Sequence, residues 1–145
     1  WTSQPWKSQY WLREIMNRMY VNDMDGLHGN DDCGQMSAWY IFTSLGFYPV
    51  CPGTDQYVLG APYVPYIRMK MPNGKVMEII AEGVSDTNRH VQEVRLNGKR
   101  YDKLYLTHAD LLAGGRLEFL MGSKPNRKRG VRTGKPYSLS DEMEP

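Results

Sequence analysis

A change of pattern at Gly46 divides the chain and limits its fold more than any other feature. Before Gly46, apolar residues recur at three- and four-residue spacing, which is typical of helices. After it, apolar and polar residues alternate between turn-forming pairs, which is typical of antiparallel hairpins. Pro49 and Pro52 prevent a helix from continuing. We therefore expect an α+β fold, in which helices precede a small antiparallel β-sheet or sandwich.

The helical part is predicted to contain two helices joined by a loop. The apolar spacing within residues 4–20 predicts the first helix, and that within residues 36–45 predicts the second. Gly46 is suited to the left-handed position that ends a helix. Two helices bury too little surface to form a core. We expect them to pack on the β part, on a segment outside this sequence, or on both.

The β part is predicted to hold two hairpins, a short helix and a final strand. The hairpins turn at Asn73-Gly74 and Asn97-Gly98, which favour positive φ angles. Thr107 is expected to cap a helix that Gly114-Gly115 ends. The predicted strands span residues 66–71, 76–81, 91–96, 101–106 and 116–121.

The sequence is expected to divide into three parts: helices over residues 1–53, strands over 54–122, and a tail over 123–145. The tail is basic and then acidic, so we expect it to be solvated and mobile. Its charged residues are Lys124, Arg127, Lys128, Arg129, Arg132, Lys135, Asp141, Glu142 and Glu144.

The overall charge and hydropathy exclude two classes of partner. A net charge of +2 gives no support to nucleic-acid binding. No apolar stretch of the sequence is long enough to cross a membrane.

The loop before the second helix carries the chemistry that this sequence suggests. Asp31 and Asp32 lie between glycines and directly before a helix N-terminus, where free N–H groups stabilise an ionised carboxylate. Such a carboxylate suits a base or a cation ligand, not a proton donor. Neighbouring side chains point in different directions, so one aspartate is expected to face a ligand while the other caps the helix. A pure capping role is also consistent with this spacing.

The same loop is a poor match to an EF-hand calcium site. With Gly26 at the sixth position, Val21 would occupy the first ligand position and Asp32 the twelfth, where a glutamate is required.

Residues 29–40, which contain Asp31 and Asp32, and residues 45–53, which contain Gly46, resemble the C-terminal part of family 92 glycoside hydrolases, which are calcium-dependent exo-acting α-mannosidases. Shorter matches are Gln4-Pro5-Trp6-Lys7, Thr107-His108-Ala109-Asp110-Leu111 and Gly114-Gly115-Arg116-Leu117. The resemblance runs from the first residue to about Gly130. The two main stretches are Gly29-Asn30-Asp31-Asp32-Cys33-Gly34-Gln35-Met36-Ser37-Ala38-Trp39-Tyr40 and Leu45-Gly46-Phe47-Tyr48-Pro49-Val50-Cys51-Pro52-Gly53.

The resemblance implies a fold, an activity and a metal. The helices of residues 1–53 would be the last helices of an (α/α)6 catalytic barrel, followed by the strands. The activity would be inverting hydrolysis of α-mannosides in N-glycans or mannan, of the α-1,2 type. Calcium would bind sugar hydroxyls, with most of its ligands upstream of this chain. The resemblance also implies a secreted, periplasmic or cell-surface location for the full-length protein.

The resemblance assigns roles to residues of the acidic loop. Asp32 would be the general base and a calcium contact, with Asp31 as its competitor for the base role. His28, Asn30 and Gln35 would bind substrate. The family's general acid, a glutamate, lies upstream, so this chain alone is expected to be inactive.

This sequence departs from the family at two positions. Asn30 stands where some members have an acidic residue, which leaves the sharing of the base role open. Arg129 stands where an aromatic residue is expected.

Two other functions stay open at this point. The strands could form a non-catalytic carbohydrate-binding module, or the chain could be a structural fragment that packs against the rest of its own protein.

Overall fold

The structure, a computed structural model, describes residues 3–131 and 134–143, without the side chains of Asp141 and Met143. It contains helices and two β-sheets, which confirms the predicted α+β class. The helices are α1 (Pro5–Met19), α2 (Gln35–Leu45), α3 (His108–Ala113) and α4 (Ser140–Met143), with a short 3-10 turn at Asp32–Gly34. The strands are β1 (Phe47–Tyr48), β2 (Gln56–Leu59), β3 (Tyr66–Lys70), β4 (Val76–Glu82), β5 (His90–Leu96), β6 (Lys99–Arg100), β7 (Tyr105–Thr107) and β8 (Gly115–Gly122).

The strands form a smaller sheet of order β1-β2-β7 and a larger sheet of order β3-β4-β8-β5-β6. The larger sheet is mixed, because β4 and β8 run parallel. The expectation of a purely antiparallel sheet was therefore wrong. The two Asn-Gly turns specify only the local pairs β3-β4 and β5-β6. No hairpin turn determines the position of β8. This strand lies between β4 and β5 in the sheet, and its alternate side chains are buried.

The predicted strand over residues 101–106 was also wrong. β6 stays in the larger sheet, whereas β7 joins the smaller sheet. Between them, the carbonyls of Tyr101 and Lys103 accept hydrogen bonds from Nη2 of Arg129 at 3.2 and 3.1 Å. These two carbonyls therefore bond to an arginine instead of a neighbouring strand.

Arg129 is buried, although residues 123–145 were expected to be exposed to solvent. Its side chain is only 9% exposed. Arg132 and Glu144, which were also expected to be solvated, lie outside the described residues. The three-part division itself stays a prediction, although β1 of the helical part pairs with β2 of the β part.

The hydrophobic core lies between the sheets and α3. Its centre is β8, whose Leu117 and Phe119 are almost fully buried. The buried apolar cluster comprises Phe47, Leu59, Ala61, Met71, Met77, Ile79, Ala81, Val91, Val94, Leu106, Leu111, Leu117, Phe119 and Met121.

Helix α1 is fixed to the sheets by buried polar side chains. Oε1 of Gln9 accepts a hydrogen bond from the backbone N–H of Val91 at 3.1 Å. The guanidinium of Arg13 donates to the carbonyl of Pro62 at 2.8 Å and lies over the ring of Tyr63. These contacts position the end of α1, from which the acidic loop starts.

Candidate active-site loop

The acidic loop, residues 20–34, is anchored to α2 at its first residue. Tyr20 ends α1 in an extended conformation. Its ring stacks on Trp39 with centroids 5.6 Å apart, and lies 4.9 Å from the ring of Tyr40. Its hydroxyl donates to the carbonyl of Met36 at 3.3 Å. The start of the loop is therefore held against the first turns of α2.

The first half of the loop closes on its own backbone. The N–H of Val21 donates to the carbonyl of Gly26 at 3.0 Å, and the N–H of Gly26 donates to that of Asp23 at 3.1 Å. A side chain at Gly26 would collide with the carbonyl of Val21. This tight closure explains the glycine without a cation, in agreement with the poor EF-hand match.

Asp31 caps α2 through three hydrogen bonds. Its Oδ1 accepts from the backbone N–H groups of Met36 and Ser37 at 2.8 and 3.0 Å. Its Oδ2 accepts from the Ser37 hydroxyl at 2.7 Å. The bonds from Ser37, with that from Met36, hold the pKa of Asp31 below its ordinary value. The carboxylate is therefore ionised and committed to the helix end.

Two left-handed residues make this cap possible. Cys33 and Gly34 have φ angles of 54° and 79°. They turn the chain so that Asp31, five residues before Met36, still reaches the free N–H groups of α2. Ser37 was not predictable as a capping partner, because capping motifs place the two partners only three residues apart. Asp31 and Ser37 are six residues apart, a spacing that does not match this capping motif.

Asp32 is placed differently from its neighbour. Its side chain is exposed and makes no hydrogen bond to any described residue. Its backbone carbonyl accepts the N–H of Gln35. The carboxylate is therefore available to a ligand and lies at the positive end of α2.

The other three predicted site residues are also solvent-accessible. His28, Asn30 and Gln35 are exposed, and none of their side chains bonds to another described residue. His28 and Asn30 lie on the same loop as Asp32, and Gln35 is the first residue of α2, but their role in substrate binding stays a prediction.

A cavity of about 450 Å³ lies between the first half of the loop and α2. Its walls combine aromatic, polar and apolar groups. They are formed by Tyr20, Val21, Asn22, Gly26, Leu27, Ser37, Tyr40 and Ile41.

The described residues do not fit a complete calcium site. Calcium takes about six to eight oxygen ligands. No three His, Cys, Asp or Glu side chains of residues 3–131 and 134–143 cluster as a metal site would require. Of the adjacent pair Asp31 and Asp32, only Asp32 has a carboxylate that makes no hydrogen bond to a described residue.

The carboxylate of Glu14, on α1, is held by two arginines. It forms ion pairs with Arg18 at 2.7 Å and with Arg89 at 2.6 Å. The hydrogen bond from Arg89 lowers the pKa of Glu14. An ionised, doubly paired glutamate is a poor proton donor, so Glu14 does not suit the role of a general acid.

The capping role of Asp31 predicts a pH-dependent stability. Because its folded-state pKa is lowered, Asp31 stabilises the fold above the unfolded-state pKa, which is about 3.9. This stabilisation is lost as the pH falls through the lower folded-state pKa. We expect Asp31→Asn to lower the melting temperature near neutral pH, and the difference from wild type to shrink below about pH 4.

Asp25→Asn is the matched control for this prediction, because Asp25 is exposed on the same loop and bonds to no described residue. Thermal melts between pH 2 and 7 should show little effect of this variant. A pH-independent loss in Asp31→Asn would contradict the capping role.

Comparison with protein families places the chain among glycosidases. The model of the glycosyl hydrolase family 92 catalytic domain matches residues 1–123. A curated protein from Arthroderma benhamiae, named an uncharacterized secreted glycosidase, is 31% identical over 102 residues. This match covers 68% of this chain and 13% of that protein.

Solved structures of the same family are close matches. One is a family 92 α-mannosidase from Bacteroides thetaiotaomicron in complex with mannoimidazole, with 48% identity and a TM-score of 0.90. It matches 94% of this chain and 18% of its own length. Another is a family 92 inverting mannosidase from the same organism, with 40% identity and a TM-score of 0.88 over 94% of this chain and 19% of its own. This chain therefore spans less than a fifth of each relative.

In the part of the chain that the structure describes, no helix has the length and apolar character needed to cross a membrane.

Proposed function

Because this chain belongs to glycosyl hydrolase family 92, we propose that it is the C-terminal part of the catalytic region of an inverting, calcium-dependent exo-α-mannosidase. The substrates would be α-mannosides of N-glycans or mannan, of the α-1,2 type. Helices α1 and α2 would be the last helices of an (α/α)6 barrel. The rest of the barrel, the general acid and most calcium ligands would lie outside this sequence.

One observation supports Asp32 as the general base: the two adjacent aspartates have different surroundings. Asp31 is held by Met36 and Ser37. Asp32 is exposed and bonds to no described residue. A base must have a free oxygen within hydrogen-bond reach of the proton that it takes. Both oxygens of Asp31 already accept hydrogen bonds from α2, whereas neither oxygen of Asp32 is bonded to a described residue, which supports Asp32 as the base.

The proposed reaction is a single displacement. Asp32 takes a proton from a water molecule, whose oxygen attacks the anomeric carbon as the glycosidic bond breaks. A general acid from the rest of the enzyme protonates the leaving oxygen. In inverting enzymes the two carboxyl groups lie about 6.5–9.5 Å apart, which leaves room for the water. The exposed position of Asp32 is compatible with this arrangement.

Calcium and secretion belong to the same proposal. Calcium would bind the sugar's hydroxyl groups, with Asp32 as a contact from this chain. His28, Asn30 and Gln35 would donate or accept hydrogen bonds at the sugar. A secreted, periplasmic or cell-surface location is supported by the name of the Arthroderma relative.

The stereochemistry of the first product tests the proposed reaction. The longer enzyme, incubated with an α-mannobioside, should release β-mannose first, as followed by proton NMR before mutarotation. This chain alone, with its folding verified by circular dichroism, should release none. Initial α-mannose would contradict inversion, and hydrolysis by this chain alone would contradict an external general acid.

A further inference from the structure

A basic cleft of about 830 Å³ lies beside the edge strand β6, away from the acidic loop in sequence and on different elements. One side is the edge of the larger sheet, and the other is the segment that follows β8. Its walls are formed by Gln92, Glu93, Val94, Arg100, Asp102 and residues 126–131. The proposed function uses none of these residues.

Positive charge exceeds negative charge in this cleft. Four of its lining residues are cationic: Arg100, Arg127, Lys128 and Arg129. Both of its carboxylates already have arginine partners. Glu93 pairs with Arg95 at 2.6 Å, and Asp102 pairs with Arg100 at 2.9 Å. The other three cations have no ion pair with any described residue.

Arg129 is the least exposed of these cations. Burying a guanidinium is costly unless an anion compensates its charge. Its Nη2 donates to two neutral carbonyls, but its buried Nε has no acceptor among the described residues. Burial lowers the pKa of Arg129 to about 10, which is consistent with an incompletely compensated charge.

The segment that carries Arg129 is held in place by Asn126. The side-chain amide of Asn126 donates to the carbonyl of Gln92 at 2.9 Å. Its oxygen accepts from the backbone N–H groups of Lys128 and Arg129 at 3.0 and 3.2 Å. The cationic side chains therefore project from a segment that is fixed to β5, and little ordering would be needed when a ligand binds.

We propose that this cleft is a binding site for a small doubly charged oxyanion, a phosphate or sulfate that is either free or carried by a sugar. The buried guanidinium of Arg129 provides the central charge, and Arg127 and Lys128 attract the anion from the exposed rim. Guanidinium and ammonium groups are the usual partners of such oxyanions. Among the described residues, no aromatic side chain lines the cleft for stacking bases, which distinguishes it from a nucleic-acid groove.

Calorimetric titration of the full chain at low ionic strength tests this site. The probes are inorganic phosphate, inorganic sulfate, a hexose 6-phosphate and the uncharged hexose. We expect saturable binding of the three anions, none of the hexose, and weaker binding as sodium chloride rises. A hexose 6-phosphate that binds at least tenfold more tightly than phosphate would identify a sugar-borne group. Equal affinities would identify the free ion.

Substitutions in the cleft test whether the anion binds there. Arg129→Met should weaken phosphate binding at least tenfold, and Arg127→Gln with Lys128→Gln should weaken it several-fold. Lys70→Gln, on the opposite edge strand β3, is the control and should bind as wild type does. If Arg129→Met does not fold, the double variant Arg127→Gln with Lys128→Gln, called the rim variant, still tests the site. Both of its substituted side chains are exposed, so this variant should fold normally.

Absence of saturable phosphate and sulfate binding in the wild type would overturn the proposal. An unchanged affinity of the rim variant for phosphate would also overturn it. So would a loss of affinity in Lys70→Gln as large as that in the rim variant.

Discussion

In the proposed longer mannosidase, with Asp32 as the proposed general base, replacing Asp32 by asparagine is expected to lower kcat by about 10²–10⁴-fold, the usual contribution of such a base. Asparagine has the same shape but cannot take a proton from water. Because Asp32 is exposed and bonds to no described residue, the change should leave the fold intact. KM should change much less than kcat if Asp32 acts mainly in the transition state. Steady-state kinetics on an α-mannobioside measure both parameters.

Asp31→Asn separates this role from a general effect on the loop. Asp31 holds the start of α2 through Met36 and Ser37, so its loss should lower the melting temperature. Asp32→Asn should leave the melting temperature unchanged. Near-normal kcat in Asp32→Asn, with a large loss in a folded Asp31→Asn enzyme, would transfer the base role to Asp31.

Truncation of Phe119 to alanine is expected to cost about 3–5 kcal/mol in the free energy of unfolding. Phe119 is 1% exposed, on the central strand β8. It lies opposite Ala81 of β4 and Val94 of β5 in the strand register. The removed ring would leave a cavity that two flanking strands cannot close. Urea unfolding of this chain, followed by circular dichroism, measures the change.

Leu120→Ala is the matched control for the core truncation. Leu120 is the next residue on the same strand, and it is 44% exposed because alternate side chains face opposite sides of the sheet. We expect a loss of about 0.5 kcal/mol. Equal losses at both positions would contradict the register of β8, since a slip of one residue exchanges the two faces.

Local patterns predicted the local structure well. Asn97 and Gly98 adopt positive φ angles of 53° and 76° and join β5 to β6, as the Asn-Gly pair indicated. Gly46 ends α2 with a φ of 93°. Thr107 caps α3 in a reciprocal arrangement with Asp110. In each case, the residues that determine the conformation are neighbours in sequence.

The errors concern pairings between distant segments. Nothing near β8 specifies its parallel pairing with β4, which depends on hydrogen-bonding both edges of a central strand. Likewise, the path of residues 101–104 depends on Arg129, far along the chain. Charge patterning favours solvent for a run such as residues 124–129, and only the fold reveals that one of its cations is buried.

The site was predictable in part. The position of Asp31 and Asp32 before a helix N-terminus predicted that one of them caps the helix, and the family resemblance is confirmed by the match over residues 1–123. The sequence alone left open which aspartate caps the helix. The structure shows Asp31 in that position, through the two left-handed residues Cys33 and Gly34.

The chain leaves the larger sheet after β6 and enters the smaller sheet at β7, and this crossing has a consequence for the kinetics of folding. Among the described strands, β7 pairs with β2 alone, so the smaller sheet is completed by the meeting of two segments with β3–β6 between them. The entropy of closing so long a loop favours late assembly of this sheet. Since β1 pairs locally with β2 and follows α2 directly, the late docking of β2 on β7 would also carry the helix whose N-terminus presents Asp32 into its place in the fold. Partly folded molecules could thus retain much of the larger sheet and still lack an ordered acidic loop.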